Sequence, residues 1–215
     1  PLASVAARCM AGVSLAEQGC TEERVPDFYS VKEVVFPFIK FPGVDPILGP
    51  EMRSTGEVMG IGRSFGGACA RAMKGALQGF PVPGKAFLSV RDADKDSLPP
   101  LAEDLLGRGY SLVATDGTCQ YLRAQGFGCE HVNKVMEGRP HIVDAIKNDE
   151  IHFIINTTEG RQAIADSFSI RREALQHNIP YTTTISRGWA TLQAIEHEDN
   201  REVRSLQELH GGAST

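Results

Sequence analysis

No apolar run in these 215 residues approaches the roughly 20 that a helix needs to span a bilayer, so a membrane protein of the helical kind is not expected. Positive charge is in short supply. Lys and Arg number 22 against 27 Asp and Glu, a net charge of -5, which argues against nucleic acid or an anionic membrane as the main partner while leaving room for a local basic pocket. The five cysteines (Cys9, Cys20, Cys69, Cys119, Cys129) form no Cys-x-x-Cys pair and are odd in number. Reduced, partly buried thiols in a cytoplasmic protein are the expectation, with no base beside any of them to make a reactive thiol. The six histidines show no H-E-x-x-H or comparable spacing, so no metal site is expected. There is no G-x-S-x-G elbow, no P-loop, no internal repeat and no low-complexity tract. The opening Pro1-Leu2-Ala3-Ser4 has neither an initiator methionine nor a basic leader, and is expected to be an internal point of a longer polypeptide.

What is present is ordinary globular material, 41% hydrophobic and 23% charged, enough for one large domain or two small ones. Two halves read differently. Residues 1–77 offer an amphipathic helix over 3–18, a Pro/Gly-punctuated, strand-poor stretch over 34–50, then a strand over 57–60 and a helix over 64–74. The apolar segment from Phe36 to Pro46 cannot be a central strand, because Pro37, Pro42 and Pro46 withhold ladder donors. It reads as a segment packed on a neighbouring body. A Pro/Gly junction over 79–84 follows.

Beyond it the pattern alternates. Strands are predicted over 85–90, 111–114, 130–132, 151–156 and 180–185, with helices over 98–108, 119–125, 140–147, 161–176 and 188–195. Repeated strand-then-helix units predict a doubly wound α/β domain, a parallel sheet covered on both faces.

The ends of those strands carry the chemistry. Asn156-Thr157-Thr158-Glu159-Gly160 follows a β-branched run, Thr115-Asp116-Gly117-Thr118 follows another, and Lys134 a third. Each alone reads as a helix cap or a surface lysine. Together they fall at the carboxyl edge of one sheet, where doubly wound domains bind ligands. Hydroxyls and an amide supply neutral donors, the lysine supplies charge, and helix starts add free N–H groups, a set suited to a phosphorylated ligand. Gly60-Ile61-Gly62-Arg63-Ser64-Phe65-Gly66 has the wrong spacing for a dinucleotide loop and reads as a strand, a tight turn and Ser64 capping a helix. His141 reads as a solvent or capping histidine, and the acidic run from Glu196 to Glu202 as the solvated end of a helix.

Three runs in the first half have a familiar order: Tyr29-Ser30-Val31-Lys32-Glu33-Val34-Val35, Phe41-Pro42-Gly43-Val44-Asp45-Pro46, and Gly49-Pro50-Glu51-Met52-Arg53-Ser54-Thr55-Gly56-Glu57-Val58-Met59-Gly60. With Val132-Asn133-Lys134-Val135-Met136-Glu137-Gly138-Arg139-Pro140-His141 and Ile154-Ile155-Asn156-Thr157-Thr158, they resemble the C-terminal part of the large chain of the carbamoyl phosphate synthetase family, over essentially all of the chain. The resemblance implies that residues 1–77 end that family's second ATP-grasp unit, and that 78–215 form an allosteric domain of the methylglyoxal-synthase-like fold. It implies a parent ligase that makes carbamoyl phosphate from bicarbonate, glutamine-derived ammonia and ATP with Mg or Mn, for pyrimidine and arginine synthesis, as a cytoplasmic oligomer with a glutaminase small chain. No cofactor is expected within this stretch itself.

By similarity, UMP or IMP meets Ser89, Lys95, Thr115, Thr118, Lys134, Asn156, Thr157 and Thr158, and ornithine meets Glu33, Asp166 and Thr183. Methylglyoxal synthases place a catalytic aspartate just after the glycine of the third-strand loop. Here Gly138 is followed by Arg139, and a cation cannot serve as a general base. The expectation is therefore a binding module without catalysis of its own. A free-standing lyase of the methylglyoxal synthase type is the alternative, and a docking surface without a ligand the third reading.

Overall fold

The structure, a computed structural model, describes residues 2–23, 25–35, 56–158 and 167–200 together with Val203, Ser205 and Glu208. The apolar Pro-punctuated segment, Asp166 and the start of the helix expected over 161–176 lie outside the described residues.

In chain order the elements are α1 (Leu2–Met10), β1 (Tyr29–Val34), β2 (Glu57–Gly62), α2 (Phe65–Gly75), β3 (Lys85–Ser89), a 3-10 helix (Asp92–Ser97), α3 (Leu98–Gly107), β4 (Ser111–Ala114), α4 (Asp116–Ala124), β5 (Glu130–His131), α5 (Ile142–Lys147), β6 (Ile151–Asn156), α6 (Phe168–Gln176), β7 (Tyr181–Thr182) and α7 (Ile185–Ile195).

Five strands form one sheet in the order β5-β4-β3-β6-β7, every neighbouring pair parallel. The strand runs are apolar at nearly every position because both faces are buried. Alternation divides them cleanly. Ala86, Leu88, Leu112, Ala114, Phe153 and Ile155 meet Leu101 and Leu105 of α3, Leu122 of α4 and Leu192 of α7 on one side. Phe87, Val113 and Ile154 meet Ile142 and Ile146 of α5 and Ile170 and Ala174 of α6 on the other. Two helical layers over a parallel sheet are the doubly wound α/β arrangement that the alternating pattern predicts.

The first half builds a separate antiparallel pair. β1 runs from Tyr29 opposite Gly62 to Val34 opposite Glu57, and α2 lies against it. A Cβ at Gly60 would stand 2.0 Å from the Ala68 carbonyl oxygen, and one at Gly62 would stand 2.6 Å from the Ala68 nitrogen. The glycines of that loop thus admit the backbone of α2, as a packing role requires, and Ser64 caps the helix by accepting from the Gly67 N–H. The opposite face of α2 meets α7: Cys69, Ala70 and Met73 pack with Ala194, flanked by Val31 and Phe80.

Several boundaries differ from the sequence reading. β1 was not anticipated, since Tyr29–Val34 mixes Ser30, Lys32 and Glu33 into a half-exposed strand. The first helix ends at Met10, eight residues early, where turns and Gly12 at a φ of 93° break it. α4 and α7 each start three residues sooner than predicted, because Thr115 and Thr184 rather than later residues take the cap position. The strand expected over 180–185 contracts to Tyr181–Thr182 for the same reason. His141 is 7% exposed, so it is a capping residue and not a solvent one; its ring accepts from the Asp144 N–H while the Asp144 carboxylate accepts from the His141 N–H.

Candidate functional site

Parallel strands finish at a common edge, and the register decides which side chains meet there. Ser89, last of β3, lies directly opposite Asn156, last of β6, and Thr115 follows Ala114, the partner of Leu88. This edge is also where the chain reverses its direction of winding, between β3 and β6, the place in such sheets where the loops part and leave a crevice.

The crevice is a cavity of about 420 Å3, within the size range of small-molecule sites. Ser89, Lys95, Thr115, Thr118, Lys134, Asn156, Thr157 and Thr158 all line it. The eight residues assigned to a nucleotide by similarity are thus brought together from three strand ends and two loops.

Their hydrogen bonds explain how the wall holds its shape. The Val90 N–H donates to Thr118 Oγ1 at 3.2 Å, and the Arg91 N–H to Thr157 Oγ1 at 3.0 Å, so two buried hydroxyls pin the loop after β3. The Thr115 hydroxyl donates to Ser89 Oγ at 3.3 Å instead of capping α4. Asn156 is 1% exposed, yet its Nδ2 finds no acceptor among the described residues. A buried N–H2 in a cavity wall with no acceptor from the described residues is available to an acceptor on a bound molecule.

Three cations face the same space, and each has a carboxylate nearby. Arg91 Nε lies 2.8 Å from Asp94, Lys95 Nζ 2.7 Å from Asp92, and Lys134 Nζ 3.9 Å from Glu137. The Lys95 ammonium, 20% exposed at its side chain, also stands 6.0 Å from the centre of the Tyr121 ring, above the first turn of α4. Hydrogen bonding from Lys95 holds the Asp92 carboxyl below its ordinary range, and Arg91 does the same for Asp94. Both acids are ionised at neutral pH, so an anion entering the cavity shares the cations with them. The lining also includes Val135, Met136 and Ile170, an apolar part of the wall suited to a flat, weakly polar group.

Arg91 and Ser167 line the cavity as well and were not singled out from the sequence, whereas Gly117 belongs to the strand-end run read there. A signal existed for Arg91. Ser89-Val90-Arg91-Asp92 sits at a strand end just as Thr115 does, with the arginine two residues beyond the strand.

Glu33 and Thr183, two of the residues assigned to an amine, lie elsewhere. Glu33, on β1, is 8% exposed and bonded by Arg187 and Gln78, and Thr183 is exposed just ahead of the cap of α7. Arg139 lies outside the cavity wall, its side chain 79% exposed and 3.7 Å from Asp144. Among the described residues no group of three or more His, Cys, Asp or Glu is placed to hold a metal ion, and no helix is long and apolar enough to cross a membrane.

A family model described as an MGS-like domain matches residues 97–183. The carbamoyl phosphate synthase large chain of Xanthomonas campestris is 63% identical over 98% of this chain and 19% of its own length. That of Pseudomonas putida is 60% identical over 98% of this chain and 20% of its own. This chain therefore spans about a fifth of the relatives it matches. A methylglyoxal synthase from Elizabethkingia anophelis superposes with a TM-score of 0.44 at 18% identity, covering 60% of this chain and 92% of that one.

Proposed function

We propose that this chain, homologous to about a fifth of the carbamoyl phosphate synthase large chain and carrying an MGS-like domain, is the regulatory portion of such an enzyme and binds a nucleoside monophosphate without transforming it. The observation that carries the reading is the buried Asn156 Nδ2, unanswered among the described residues, in the wall of a cavity that also presents cations and hydroxyls. Lys95 and Lys134, with Arg91, supply charge to a phosphate; Ser89, Thr115 and Thr158 supply hydroxyls; Thr118 and Thr157 hold the loop that carries Arg91, their own protons going to the Val90 carbonyl and the Asp94 carboxylate. The apolar lining of Val135, Met136 and Ile170 suits a base of the UMP or IMP kind. The two carboxylates that line the cavity, Asp92 and Glu137, each lie beside a lysine, which favours their ionised form and a binding role over proton transfer.

Regulation follows from linkage. An effector that binds two states of the enzyme unequally shifts their populations by its difference in affinity. Residues 1–77, read as the end of the second ATP-grasp unit, are the route, since α2 packs on α7 of the effector domain. Ornithine is the second effector in this reading, with Glu33, Asp166 and Thr183 toward it. ATP and its metal, the glutaminase small chain and the pyrimidine and arginine pathways belong to the parent enzyme, a cytoplasmic oligomer.

The test is a calorimetric titration of the full chain with UMP and IMP, repeated for Lys134→Ala. Removing one ammonium that contacts a phosphate is expected to weaken UMP about tenfold, the low end for a hydrogen bond to a charged group, because the Lys134 side chain is 56% exposed. UMP affinity within twofold of the unaltered protein would remove Lys134 from the site. Turnover of dihydroxyacetone phosphate by the isolated chain would overturn the non-catalytic reading.

A further inference from the structure

Outside the cavity, Glu33 is a buried carboxylate with a donor on each oxygen. The Arg187 Nη1 donates to its Oε2 at 2.6 Å, and the Gln78 Nε2 donates to its Oε1 at 3.1 Å. Arg187 Nη2 in turn donates to the Gln78 Oε1 at 3.1 Å. Three side chains from β1, from the junction after α2 and from α7 thus close a ring, with the Glu33 side chain 10% and that of Arg187 29% exposed. Both carboxylate oxygens receive a donor from within the chain.

The place of Arg187 is locally unfavourable. Thr184 caps α7 and accepts from the Arg187 N–H at 3.1 Å, so the arginine is the third residue of the helix. That position favours a glutamate reaching back to the cap, and the positive end of the helix dipole opposes a cation there. A residue that breaks a local rule is compensated elsewhere, here by a carboxylate from the other half of the chain. The same carboxylate, nearly buried and flanked by donors, is the natural partner for an organic ammonium.

We propose that Arg187 is an internal occupant of the Glu33 carboxylate, a specificity-determining residue that a small amine-bearing ligand must displace before it can bind at the seam between the halves. This rests on the reading of Glu33 given above. A ligand ammonium gains one charged partner only by releasing another, so affinity for amines at this seam is lowered by the strength of the internal pair. Opening the ring would also remove the ionic tie between α7 and β1, leaving the packing of Val31 near Ala194, which couples amine binding to the contact between the two halves.

The experiment is a calorimetric titration of the full chain with ornithine, and with norvaline as the analogue lacking the side-chain amine, for the unaltered protein, for Arg187→Ala and for Arg187→Gln. The glutamine variant keeps an uncharged donor to Glu33 and covers the case in which the alanine variant fails to fold. UMP is titrated in parallel as the check on an intact cavity. The expected result is ornithine affinity raised at least tenfold in an Arg187 variant, with norvaline unaffected. Equal ornithine affinity in the variants and the unaltered protein would overturn the occupancy of Glu33 by Arg187 while leaving an amine site standing. No ornithine binding in any protein that still binds UMP would overturn the amine reading of Glu33, and this proposal with it.

Discussion

Asn156→Ala separates a binding role from a structural one. The amide is 1% exposed, and its Nδ2 has no acceptor among the described residues, so the empty protein carries an unanswered donor that costs about 1–3 kcal/mol. Truncation removes that cost. It also removes packing, but the vacated space opens into an existing cavity of about 420 Å3 instead of leaving a sealed void, so the cavity penalty is small. The two effects oppose each other, and stability is expected to change by no more than about 1 kcal/mol, a shift of about 2–4 °C in Tm for a chain of this size. Ligand affinity has no such compensation. A hydrogen bond to a charged oxygen is worth about 1.5–3 kcal/mol, and its loss weakens UMP about 10- to 150-fold. Thermal unfolding and calorimetry on the same preparations measure both quantities. A Tm lowered by 10 °C or more with unchanged UMP affinity would show that the amide serves the sheet and that the reasoning is wrong. Asn156→Asp is the companion, placing a carboxylate where the phosphorylated ligand enters, and is expected to abolish binding through like-charge repulsion.

Two further outcomes follow from other parts of the molecule. Burial pushes the Tyr110 phenol up to about 12, and its hydroxyl donates to the Pro81 carbonyl at 2.8 Å. A folded pKa above the unfolded value near 10 contributes stability that is present below about pH 10 and is lost as pH rises toward 12, so Tyr110→Phe is expected to cost about 1 kcal/mol at pH 8 and to flatten the alkaline loss. Denaturant unfolding at pH 8 and pH 11 checks this, and an equal loss in both proteins would refute it. At the seam, a Cβ on Gly66 would stand 2.7 Å from the Gln193 carbonyl oxygen and 2.8 Å from the His197 ring. Gly66→Ala is therefore expected to destabilise by about 1–3 kcal/mol through overpacking while leaving UMP affinity within twofold, because neither residue lines the cavity. A UMP affinity that falls with stability would refute the separation.

Much of this was legible because the strongest signals are periodic. Both faces of β3, β4 and β6 are buried, so their apolar runs stand out, and the residues just beyond them are polar for a reason that the sheet edge supplies. The residues assigned by similarity fall in one cavity because parallel strands put Ser89 beside Asn156 and Thr115 beside the end of β3. Helix starts were harder to place. Thr115 and Thr184 take extended backbone as caps, and a run such as Asp116-Gly117-Thr118 reads as a loop until its helix is seen. β1 was missed because only Glu33 of its six residues is buried, and that residue is charged. The pairing of Arg187 with Glu33 spans 154 positions, and no local pattern announces a contact of that length. Asp166 stays an assignment by similarity.

The charge pattern around the cavity argues for reversible binding over chemistry. A catalytic acid or base needs a pKa moved toward neutrality by burial or by a like charge. Here the resolved shifts run the other way: Asp92 and Asp94 are held low by Lys95 and Arg91, which fixes them as permanent anions. On the reading proposed above, their effect on a phosphate would be to temper the attraction of three cations, so that the site would exchange its ligand instead of trapping it. A regulator must release its effector when the concentration of that effector falls, and self-paired cations with neutral hydroxyl and amide donors meet that requirement. An unpaired cluster of the same three cations would hold any phosphate more tightly and with less selectivity, because the discriminating hydrogen bonds of Asn156 and the threonines would add little to a large, non-directional charge term.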